Sequence, residues 1–94
     1  MGRMMTPEQA RYRLEAMQFV QSVLDEVDTA RACYPDKPTM AVLVEEVGEV
    51  ARALQDEGRQ ALYAECIQVA AMALRMALEG AREYQRSWPE GETR

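Results

Sequence analysis

With 94 residues, 48% of them apolar and 29% charged, the chain is the size of one small domain, with material for a core and too little charge bias for disorder. Its net charge of −5, built with ten Arg and one Lys, offers no basic stripe to a nucleic-acid duplex, and the lack of His removes imidazole catalysis and the common zinc sites. Chemistry here has to rest on carboxylates, and an acidic protein meets a polyanionic substrate most readily through a divalent cation held between the two.

Thr6, Pro7 and Gln9 make a capping-box start with proline at the first helical position. Leu14, Met17, Val20, Val23 or Leu24, and Val27 then recur every three or four residues to about Ala30, which predicts an amphipathic helix over 6–31. Pro35 and Pro38 break helical geometry and mark a turn. From Thr39, a side chain suited to an N-cap, Met40, Leu43, Val44, Val47, Val50, Ala51 and Leu54 keep helical spacing until Gly58, giving a second helix over 39–57.

A third helix is expected over 60–85, followed by a flexible tail over 86–94. Its segment from Cys66 to Leu78 is apolar on nearly every side, more than two partner helices can cover. The expected fold is therefore all-α, a small three-helix bundle that completes its core by homo-oligomerisation, as a homodimer or homotetramer. That apolar stretch is interrupted by Gln68 and Arg75 and is short for a bilayer span, no basic-then-apolar leader is recognisable, and Cys33 and Cys66 have no CxxC spacing. Free thiols, a cytoplasmic setting and no membrane partner are the corresponding expectations.

Glu45, Glu46 and Glu49 lie on the second predicted helix, Glu65 and Gln68 on the third. At 1.5 Å rise per residue, Glu49 lies roughly 13 Å before the Gly58 turn and Glu65 roughly 10 Å after it, while Glu46 and Gln68 lie roughly 18 and 15 Å away. In an antiparallel hairpin the pairs reach similar heights, and each i,i+3 pair puts two oxygen-bearing groups on one edge. Glutamates at neighbouring helix positions ordinarily form a solvated face. Here Glu46 borders the apolar stripe and Glu65 stands at the mouth of the most apolar segment, places where a carboxylate needs a partner. Such a cluster suits a hard cation that is completed by water and substrate phosphates.

The run Leu43-Val44-Glu45-Glu46-Val47-Gly48-Glu49-Val50 resembles the EExxE half of the motif of MazG-like all-α nucleoside triphosphate pyrophosphohydrolases, and Glu65 to Gln68 resembles its ExxD half at a compatible separation. The similarity spans roughly residues 38 to 80. It implies Mg2+, with Mn2+ as a substitute, held by Glu46, Glu49, Glu65 and Gln68, catalytic roles for Glu46 and Glu49, and cleavage of a nucleoside triphosphate to monophosphate and pyrophosphate. Gln68 departs from the motif, since a neutral amide oxygen stands where Asp would bring a charge; the surrounding residues 65–73 resemble Gln-bearing phage and bacterial members. A non-catalytic nucleotide-binding or oligomerisation protein of the same fold is the alternative. Lys37, Arg52, Arg59 and Arg75 are candidate phosphate contacts as well as ordinary surface or interface cations, and Met40, Met72 and Met76 read first as core packing.

Overall fold

The computed structural model describes residues 4–83. Three α-helices, α1 (Pro7–Cys33), α2 (Met40–Arg52) and α3 (Arg59–Glu79), account for most of it, and no strand occurs among the described residues. The predicted tail over 86–94 lies outside them.

Local chemistry sets the starts. The Thr6 hydroxyl accepts from the Gln9 backbone N–H at 3.0 Å while the Gln9 side-chain oxygen accepts from the Thr6 N–H at 2.9 Å, so the capping box of α1 is complete. Thr39 caps α2 by accepting from the Val42 N–H at 3.2 Å. The carboxylate of Glu83, fully exposed, accepts from the Met40 N–H at 2.9 and 3.0 Å, a second acceptor at the donor-rich end of α2.

The ends differ from expectation in three places. α1 runs two residues past 31, to Cys33. The second helix is α-helical only to Arg52; Ala53–Glu57 form one π-helical turn, closed by the Gly58 N–H donating to the Ala53 carbonyl at 3.3 Å. α3 stops at Glu79 rather than continuing to 85, because Gly80 takes φ +85°, a conformation that glycine adopts without a Cβ clash.

α3 is the central element. It packs on both α1 and α2, whereas α1 and α2 do not pack on each other, so the helices form an open layer in the order α1, α3, α2 rather than a closed bundle. Phe19, midway along α1, and Tyr63, near the start of α3, meet edge to face with ring centroids 5.3 Å apart, and Arg31 lies 3.5 Å from Glu79 near the ends of both helices, so these two helices run parallel. The Gly58 turn makes α2 antiparallel to α3, and the Arg82 N–H donating to the Pro38 carbonyl at 2.7 Å ties the end of that hairpin to its beginning.

The core is thin. Val23 and Val27 of α1 bury against Ala71 of α3, with Phe19, Ile67, Ala70 and Leu74 packed around them, and Ala53 is buried at the π-turn. Of α3 itself only Ala71 and Arg75 are buried. Large apolar side chains remain open, among them Met17 at 61%, Val44 at 61% and Leu78 at 71%. By length and composition alone α3, 21 residues with an 18-residue window of mean hydropathy 1.4, is long and apolar enough to cross a bilayer. That exceeds the span expected from residues 66–78, because the helix begins at Arg59.

Candidate functional site

Glu46 is the best-defined member of the acidic set. It projects from α2, half-buried, and its carboxyl is held above the ordinary carboxylate value, first by desolvation and then by the negative charges of Glu65, Glu45, Glu49 and Glu26. The antiparallel α2–α3 pairing therefore brings Glu46 and Glu65 within electrostatic reach of each other, although counting from Gly58 sets Glu65 level with Glu49 and Glu46 level with Gln68.

Glu46 and Gln68 line one cavity of about 630 Å3, bounded by the end of α1, the connection over 34–39, the first turns of α2 and the middle of α3. Glu26 of α1 lines it too and was not among the predicted residues. Its signal in the sequence is position: it lies between Val23 and Val27, the two buried residues of α1, so its backbone is drawn toward α3 with theirs. Gln68 and Glu26 also border a smaller cavity of about 310 Å3 between α1 and α3, with Ser22, Asp25 and Thr29.

Glu49 is placed differently. It stands one turn farther along α2, ion-paired with Arg52, and does not line the larger cavity. Among the described residues, no three His, Cys, Asp or Glu side chains are gathered closely enough to hold a metal ion. The donor chemistry around Glu46 is nevertheless all oxygen, carboxylates with one amide carbonyl, which is the set a hard divalent cation takes.

The opposite end of the larger cavity is cationic. Lys37, Arg75 and Arg82 line it, with Arg75 one helical stretch of roughly 10 Å beyond Gln68 on α3. Arg75 is 2% exposed, the one buried charged side chain among the described residues. It donates through Nε and Nη2 to the two oxygens of Glu79, at 3.1 and 2.9 Å, and through Nη2 to the Asp36 carbonyl at 3.0 Å. Hydrogen bonding from Arg75 is the main reason that the Glu79 carboxyl lies below its usual value. In the sequence Arg75 stands as one of four candidate cations, because its burial depends on a loop 39 residues away.

Both cysteines are free thiols, Cys33 exposed and Cys66 half-buried. Comparison with protein-family models, with curated proteins and with solved structures finds no match for this chain. The likeness to MazG-like enzymes thus rests on the motif residues themselves.

Proposed function

We propose that the protein is a metal-dependent nucleotide pyrophosphohydrolase that works at the α2–α3 face around Glu46. The observation that carries this reading is the strained electrostatics of Glu46: a half-buried carboxyl, facing Glu65 and Glu26 and sharing a cavity with Gln68, whose repulsion a divalent cation would relieve. Glu46, Glu49, Glu65 and Gln68 would hold Mg2+ or Mn2+, and the bound ion would supply a water of lowered pKa and neutralise the departing pyrophosphate. For Glu49 to join, it has to exchange Arg52 for the cation. Glu46, whose carboxyl lies above its ordinary value through desolvation and neighbouring negative charge, is the group suited to take a proton from an attacking water.

Homo-oligomerisation belongs to the same reading and is supported by the open layer. Two neighbours leave most of α3 only partly covered, and the apolar side chains of α1 and α2 that face outward extend that surface. The second reading, a nucleotide-binding protein without turnover, draws support from Gln68 and from the Glu49–Arg52 pair, each of which lowers the charge offered to a cation.

Pyrophosphate release from a panel of ribo- and deoxyribonucleoside triphosphates, with Mg2+ or Mn2+, tests the proposal against Glu46→Gln and Glu49→Ala. Metal-dependent release lost in both variants is the expected result. No release by a folded protein selects the binding reading.

A further inference from the structure

A guanidinium has five N–H donors. In Arg75 the Nε donor and both Nη2 donors are used on Glu79 and Asp36, and the two donors on Nη1 have no partner among the described residues. A buried donor left unpaired is costly, and Arg75 is 2% exposed while lining a cavity of about 630 Å3. The surroundings favour an anion over a neutral acceptor. Glu79 is shared between Arg75 and Arg31, which leaves that trio with one surplus positive charge, and Lys37 and Arg82 add theirs at the rim of the cavity. Of the acidic side chains that line the cavity, Glu26 and Glu46 sit toward the Gln68 end, about two helical turns away, while Asp36 lies at the cationic end, where Lys37, Arg82 and the surplus charge of the trio outnumber it.

We propose that the cationic end of this cavity is an oxyanion site in which Nη1 of Arg75 binds a phosphoryl group, its identity as the terminal phosphates of a nucleotide resting on the reading above. The site is built by the fold before any ligand arrives. The Asp36 carbonyl and the Glu79 carboxylate fix the guanidinium plane from two directions, so little side-chain freedom is lost when the anion binds. The separation between Arg75 and Gln68 along α3 lets one triphosphate chain reach from the cationic end to the carboxylates around Glu46.

The test uses the full chain and inorganic pyrophosphate, first without metal. Titration followed by NMR of the arginine side-chain nitrogens is expected to move the Nη1 and Nε signals of Arg75 in a saturable way, with inorganic sulfate as a weaker competitor. Arg75→Lys, which keeps the charge beside Glu79 but removes the guanidinium fork, should weaken pyrophosphate binding about tenfold or more, as the loss of a charge-assisted hydrogen bond does. Unmoved Arg75 signals in the folded wild-type protein overturn the site, and this readout stands even if the Lys variant fails to fold. The two proposals fail separately: pyrophosphate bound at Arg75 with no nucleotide hydrolysed removes the hydrolase and keeps the anion site, and metal-dependent hydrolysis with Arg75 unmoved does the reverse.

Discussion

Arg75 on α3 donates to the main-chain carbonyl of Asp36, 39 residues earlier, at 3.0 Å. One buried guanidinium thereby fastens the connection between α1 and α2 to the central helix. The same group neutralises Glu79, and the two partners are not equally buried: the Arg75 side chain is 3% exposed and that of Glu79 23%.

That asymmetry orders two substitutions. Glu79→Ala strands a buried cation and should destabilise the protein by about 3 kcal/mol or more. Arg75→Met leaves a carboxylate that water and Arg31 can reach and should cost less, about 2 kcal/mol. Urea unfolding at pH 7 measures both, and the reverse order would show that loop anchoring outweighs charge burial.

Acidity should act in two opposite steps. The Glu46 carboxyl lies above its ordinary value, so the folded state binds the extra proton and stability increases as pH falls from neutral toward the ordinary Glu value of about 4.3. Glu79 and Glu83 lie below theirs, so what they contribute is complete above that value and is lost as pH falls through their folded values. Thermal melts without metal are expected to show a maximum on the acid side of neutrality. Glu46→Gln should flatten the rise, and should stabilise the metal-free protein at pH 7 by on the order of 0.5 kcal/mol, the scale of a relieved like-charge contact.

Gln68→Asp restores the charge that the resemblance leads one to expect at this position. Added to Glu46, Glu65 and Glu26, it should lower the stability of the metal-free protein and raise Mg2+ affinity, so that the melting shift produced by millimolar Mg2+ grows. An unchanged Mg2+ response would remove Gln68 from the metal site.

The uncovered apolar surface makes a prediction of its own. Leu78 is 71% exposed in the single chain, so Leu78→Glu should leave the monomer fold intact while weakening self-association, read by sedimentation without detergent. A wild-type protein that sediments as a monomer, or only with membranes, would rule out the homo-oligomer.

What could be read from sequence was what local chemistry decides. The starts at Thr6 and Thr39 depend on residues three positions away, and each forms as expected, with Thr39→Ala predicted to cost about 1 kcal/mol. Counting away from Gly58 sets Glu46 level with Gln68, and these two share the larger cavity, while Glu49, counted level with Glu65, is ion-paired with Arg52. The π-turn over Ala53–Glu57 was invisible because one wider turn keeps nearly the same apolar spacing, and the stop at Gly80 was missed because a single glycine in a helical pattern is often tolerated. The place of Glu26 between Val23 and Val27 marks its side of α1, but its part in the cavity and the burial of Arg75 depend on other segments of the chain, which the spacing within one helix does not register.

The parallel run of α1 beside α3 also separates the molecule into two ends. The Phe19–Tyr63 contact holds the start of α3 against the middle of α1, and Arg75 with its loop holds the other end of α3, roughly 18 Å away along it. Changes at sites that far apart and without shared partners add in free energy. The aromatic end can therefore be repacked to raise stability while the polar end is varied on its own, and each can be optimised in ignorance of the other.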